Sequence, residues 1–238
     1  MEMHTSDGLA ISQQIMGIGL YTFYSIQHFQ SAGYHAGRAK RLEQRYKGEV
    51  TGRMLPAIRA EAGSAIFASV AFLEATANEL FAEALQTGGG ELRSRAADEL
   101  EAVSQLGLMT AVERASLQEK FEFLLIGARL EPLKRGEQPA QNVDTLIGLR
   151  NGLMHYKASW LDWGTDNMIR KESLAKSKLG RGIRGLFPAR AHSEGHSDYW
   201  LGAGSARWAL QSALHYADEI FRRLDVTPIY DHVRSEFA

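Results

Sequence analysis

Residues 55–84 read LPAIRAEAGSAIFASVAFLEATANELFAEA, and this stretch decides the fold class. Leu55, Ile58, Ala62, Ile66, Val70, Leu73, Ala77, Leu80 and Ala84 recur at spacings of three and four, the repeat of one face of an α-helix. The run Gly88-Gly89-Gly90 ends it, because consecutive glycines lose the most backbone freedom on becoming helical. A helix this long and apolar cannot stand alone in water, so its stripe has to be covered by other elements of the chain.

The flanking sequence offers helices to do so. Upstream, about Gly8 to Lys47 lacks proline and passes from apolar (Ile11, Ile15, Ile18, Phe23, Ile26, Phe29) to charged (Arg38, Lys40, Arg41, Glu43, Arg45), as in a helix solvated along its second half. Downstream, a weaker helical pattern covers about Glu91 to Leu106. Thr110 with Glu113, and Ser116 with Glu119, then read as capping boxes ahead of Phe121, Leu124 and Leu125, in a short helix ending near Gly127. Glu131 to Gln141, with Pro132, Gly136 and Pro139, is expected to be a loop. Asn142 or Asp144 is expected to cap the next helix, through Leu146, Leu149, Leu153 and Tyr156 toward Trp160. A last helix, about Ala206 to Leu224, carries Trp208, Leu210, Leu214, Ile220 and Phe221, with Pro228 beyond it. No alternating strand pair and no internal repeat occurs. The expected architecture is an all-α bundle of about five main helices in a single domain spanning 1–238, with an irregular insertion at 161–204.

Composition agrees and narrows the function classes. The chain has 238 residues, 45% hydrophobic and 23% charged, with five prolines, fewer than a turn-rich β protein would carry. It has no cysteine, which excludes disulfides, thiolate zinc sites and cysteine nucleophiles and makes a cytoplasmic location the default expectation. The stretch Ile15 to Ile26 is interrupted by glycines and polar residues, and Met1 to Gly8 holds no Lys or Arg, so neither a membrane span nor a secretory signal is expected. A net charge of −1 excludes a basic coat over the whole molecule, so contact with nucleic acid would need a local patch. One such patch lies between Asn167 and Arg190, where Arg170, Lys171, Lys176, Lys178, Arg181, Arg184 and Arg190 meet a single acid, Glu172. A solvated loop is one reading; RNA-binding through Arg170, Lys171, Arg181 and Arg184, with bases stacked on Trp160, Trp163 or Trp200, is the other.

The helix from Asn142 toward Trp160 holds the chemistry. On a helical wheel Leu146, Leu149, Leu153 and Trp160 share the core face, whereas Asp144, Gly148, Asn151, His155 and Asp162 form a polar stripe. Arg150 lies between the two faces, from which its side chain can swing toward His155. The string Leu149-Arg150-Asn151-Gly152-Leu153-Met154-His155-Tyr156 resembles the R-N-x-x-x-H motif of the HEPN superfamily of helical domains. The second helix, with Phe67, Glu74 and Asn78, also looks like the acid- and Asn-bearing helix of several HEPN groups. The resemblance covers about residues 10 to 160 and the last helix; the basic insertion has no counterpart in it.

The resemblance implies a metal-independent endoribonuclease, in which Arg150 and His155 are catalytic and Asn151 supports them, with Tyr156, Glu74 and Asn78 nearby. RNA is cleaved by attack of the 2′-hydroxyl, leaving a 2′,3′-cyclic phosphate. It further implies a homodimer pairing two copies of the motif helix, a toxin or antiviral-defence setting, and an antitoxin or defence partner protein. The residue types suit this chemistry, since imidazole exchanges a proton near neutral pH and a guanidinium stabilises negative charge spread over phosphorane oxygens without a metal. Some domains of this family keep the fold for binding or assembly only, so a noncatalytic module is the alternative. No cofactor is expected. His192 and His196 flank Glu194 in an H-x-x-x-H, but Gly195 argues against the helix that would bring them onto one metal. His28 and His35 are read as ordinary exposed or core histidines, with a shared cleft as the other option. Glu74 and Asn78 either bond to a neighbouring helix or face Arg150.

Overall fold

A computed structural model describes residues 23–45, 54–85, 109–155, 182–183, 185–187 and 200–237. These form an all-α bundle with α1 at Tyr24–Arg45, α2 at Met54–Leu85, α3 at Met109–Arg114, α4 at Leu117–Gly127, α5 at Ala140–Met154 and α6 at Ala203–Leu224, closed by a 3-10 helix at Asp231–Glu236. Among the described residues there is no strand.

The long periodic helix is the axis of the bundle. Ile58, Ala62, Ile66, Val70, Leu73, Ala77, Leu80 and Ala84 are all buried, and Ala65, Phe72 and Phe81 widen the stripe so that α2 is covered on several sides. Among the described residues α2 alone is long and apolar enough to cross a membrane. More than half of its apolar window is buried by the other helices.

Helix α1 runs antiparallel to α2. The Ser25 N–H, in the first turn of α1, donates to Glu79 Oε1 at 2.9 Å, and further along α1 His35 and Arg38 meet Glu61, in the first third of α2, at 2.6 and 2.9 Å. A carboxylate at the start of α1 satisfies a donor that the helix itself leaves open and opposes the positive end of its dipole. Helix α6 returns antiparallel to α1: the Ala203 N–H at its start donates to Glu43 Oε1 near the end of α1, at 2.8 Å. Beyond its end, Tyr230 packs on Phe29, Phe72 and Phe221 with centroids 5.0 to 5.8 Å apart. Phe237 then closes over Gly33, where any Cβ would overlap its ring.

Helices α4 and α5 pack against α2 and α6 of this frame. Phe121 of α4 meets Tyr216 of α6 edge to face at 5.3 Å, and Gln118 donates to the carbonyl of Ala140, joining the start of α4 to the start of α5. The Ser116 capping box forms in both directions, Ser116 Oγ accepting from the Glu119 N–H and Glu119 accepting from the Ser116 N–H. Thr110 is no cap, because α3 already begins at Met109.

Two further expectations, both on α5, are corrected, and part of the 161–204 stretch is placed. Helix α5 begins at Ala140, with Pro139 rather than Asn142 or Asp144 at its cap position; the proline gives no side-chain cap, and having no N–H it leaves no donor of its own to satisfy. It ends at Met154, with His155 as C-cap, short of the expected run toward Trp160. Within the 161–204 insertion Ile183 and Trp200 are buried in the core, and Phe187 packs on Trp208 at 5.4 Å, so part of this stretch is structural. The expected helix at Glu91–Leu106 and the start of the first helix before residue 23 lie outside the described residues.

Candidate functional site

An open groove of about 460 Å³ lies where α1, α2 and α5 meet. Its floor is one face of α2, namely Phe67, Val70, Ala71, Glu74, Ala75 and Asn78, at helical spacings of three and four. His28 of α1 forms one wall, and Arg150 with Met154 of α5 forms the other. The groove is apolar toward Phe67, Val70 and Ala71 and polar at Glu74, Asn78, His28 and Arg150. Phe67 and Met154 are 36% and 54% exposed, so two large apolar side chains face solvent at this one place.

Lys120 organises the polar part. It sits on α4 at a position that the Leu117, Phe121 and Leu124 pattern would give to an apolar residue, and it is 7% exposed. Its Nζ donates to Glu74 at 3.3 Å and to Asn78 Oδ1 at 3.1 Å. A buried ammonium needs such partners, and this pair supplies a charge and a carbonyl from consecutive turns of α2. Glu74 and Asn78 therefore do both things that the sequence left open: they bond to a neighbouring helix and they line the groove that holds Arg150. Lys120 was missed, although a lysine at a core-face position in an amphipathic run is itself a signal.

Arg150 is half-buried, and among the described residues no carboxylate pairs with it. Because Lys120 neutralises Glu74, the polar part of the groove carries an excess of positive charge, which suits an anion. The wheel placed Arg150 beside Asn151 and His155. The structure instead pairs Arg150 with Met154 on the groove side, one turn apart, while Asn151 and His155 are exposed and outside its lining. His155 stands where α5 stops, its backbone N–H donating to the Asn151 carbonyl at 2.9 Å. His28 joins the groove, whereas His35 faces Glu61, so the two histidines do not share a cleft. Trp200, one of three tryptophans considered for base stacking, is in the core. Tyr156, Trp160, Trp163, Arg170, Lys171, Arg181, Arg184, His192 and His196 lie outside the described residues.

No protein-family model, curated protein or solved structure matches this chain.

Proposed function

We propose that the chain is a HEPN-type, metal-independent endoribonuclease acting on unpaired RNA. The observation that carries this reading is Arg150: a guanidinium without a carboxylate partner among the described residues, at the edge of an open groove, with the exposed imidazole of His155 five residues on. A half-buried arginine left unpaired beside a cleft is poised for an anion such as a phosphodiester.

In the proposed reaction the 2′-oxygen of the substrate attacks phosphorus, the bond from phosphorus to the 5′-oxygen breaks, and a 2′,3′-cyclic phosphate and a 5′-hydroxyl result. Arg150 stabilises the charge on the nonbridging oxygens. His155 takes the proton of the attacking hydroxyl or returns one to the leaving oxygen, and Asn151 assists from the preceding turn. Pairing of two copies through α5 brings both motifs to one phosphate. That arrangement suits a histidine which within one chain lies outside the groove lined by Arg150. A cytoplasmic toxin or defence role, with an antitoxin or defence partner, belongs to the same proposal.

The test is cleavage of a labelled single-stranded RNA by purified chain, with and without EDTA, and analysis of the product ends. Cleavage indifferent to EDTA, leaving cyclic phosphate, and reduced by about 100-fold or more in Arg150→Ala and in His155→Ala is the expected result. Intact RNA with the unaltered chain overturns it. The position of His155 outside the groove favours one second reading, a noncatalytic binding or assembly module; loss of self-association in His155→Ala, with RNA intact throughout, selects it.

A further inference from the structure

Asn78 and Glu74 present a donor and an acceptor side by side on α2, and the reason lies in Lys120. An ammonium can only donate, so the oxygen of the Asn78 amide must be the atom facing Nζ at 3.1 Å. Its NH₂ group is thereby turned away from Lys120, and among the described residues it has no partner. Glu74 gives Oε2 to the same ammonium at 3.3 Å, and among the described residues its Oε1 has no partner. Two side chains one turn apart, each fixed by one buried cation, thus offer two N–H donors and one carboxylate acceptor to the groove. On the same face of α2, one and two turns toward its start, lie Ala71 and Phe67 with the partly exposed ring. Arg150 supplies positive charge on the opposite wall.

A ligand matching all three features is flat and apolar in its body, carries a donor beside an acceptor on its edge, and is attached to an anion. That is the chemistry of a nucleotide: every nucleobase has a face that stacks on an aromatic ring and an edge of alternating donors and acceptors. We propose that the α2 floor of the groove is a base-reading subsite, where one unpaired nucleobase lies against Phe67 and is selected by Asn78 and Glu74, with Lys120 as the positioning residue. The proposal deepens the ribonuclease reading and rests on it for the identity of the anion as an RNA phosphate. It predicts that the enzyme prefers one base beside the scissile bond.

The experiment is titration of the full chain with each of the four ribonucleoside 3′-monophosphates and with inorganic phosphate, followed by calorimetry or ligand-observed NMR. At least one nucleotide is expected to bind about tenfold or more tighter than phosphate, and the four are expected to differ among themselves. Phe67→Ala lowers nucleotide affinity toward that of phosphate. Asn78→Asp keeps an oxygen for Lys120 but removes both donors, and erases or reorders the base preference. Nucleotides binding no better than phosphate overturn the subsite, as does an unchanged order of preference in Asn78→Asp. RNA cleavage measured alongside separates the two proposals: cleavage without base preference leaves the nuclease and removes the subsite, whereas selective nucleotide binding with RNA intact does the reverse.

Discussion

Single side chains carry the most specific chemistry here, and Lys120 is the one on which others depend. Replacing it with methionine keeps the buried stem but leaves Glu74 and Asn78 without their shared donor. Because Glu74 is partly open to water, Lys120→Met is expected to cost about 1–2 kcal/mol in urea unfolding, less than the loss of half of a fully buried pair. Near the end of α6, Glu219 accepts from Arg222 at 2.7 and 2.8 Å and from Arg223 at 2.9 Å, which holds its carboxyl down to about 2, against an ordinary value of 4.5. A carboxyl depressed in the folded state stabilises it fully above the unfolded value and loses that contribution as the pH falls toward the folded one. The stability advantage of the unaltered chain over Glu219→Gln is therefore expected to be flat from about pH 7 to 5 and to shrink steadily below about pH 4.5. An advantage unchanged at about pH 3 contradicts the assignment.

At the scale of elements, two helix starts in this bundle, those of α1 and α6, receive carboxylates from other helices. Glu79 serves α1 and Glu43 serves α6 across 160 residues of chain, whereas α4 is capped by its own Ser116. The Ser116 box was legible because its residues are three apart. The other two were not, because a long-range cap leaves no spacing to read. Glu43→Ala is expected to destabilise by about 1 kcal/mol, with the loss of α6 protection in hydrogen exchange starting at Ala203. The closing segment meets α1 at Gly33, where backbone and the Phe237 ring are in direct contact. Gly33→Ala should destabilise by about 1–3 kcal/mol in the unaltered chain, yet be neutral or stabilising once Phe237→Ala has removed the ring, since alanine favours the helix by about 1 kcal/mol. Additivity of the two changes in thermal or urea melts would falsify this contact.

For the molecule as a whole, α2 has the composition of a membrane span and the surroundings of a core helix. Its apolar residues face α1, α6, α4 and α5 rather than one partner, which is why nearly its whole circumference is hydrophobic. Apart from Pro56, Ala57 and Ala60 near its start, its exposed residues among those described are Phe67 and Asn78, and the groove lies along the strip between them. If two copies pair through α5 as proposed, RNA cleavage at low chain concentration rises more steeply than in proportion to it. A mixture of Arg150→Ala and His155→Ala chains then recovers activity that neither has alone, provided each site draws its arginine and histidine from different copies. First-order dependence on concentration, with no recovery in the mixture, removes the pairing.

The all-α class, the central helix and the last helix were determined by local periodicity alone, since three- and four-residue spacing survives in the sequence whatever packs against it. The Arg-Asn-x-x-x-His string was equally visible, but not the directions of its side chains: α5 ends at Met154, and Arg150 sits with Met154 over α2 while His155 leaves the helix. Only the tertiary structure brought Lys120 to Glu74 and Asn78, 46 and 42 positions away, and it alone decided which face of α2 stays uncovered. The physical reason is that a buried charge is tolerated through its partners, and partners that distant are chosen by how helices pack, which no spacing along the chain records.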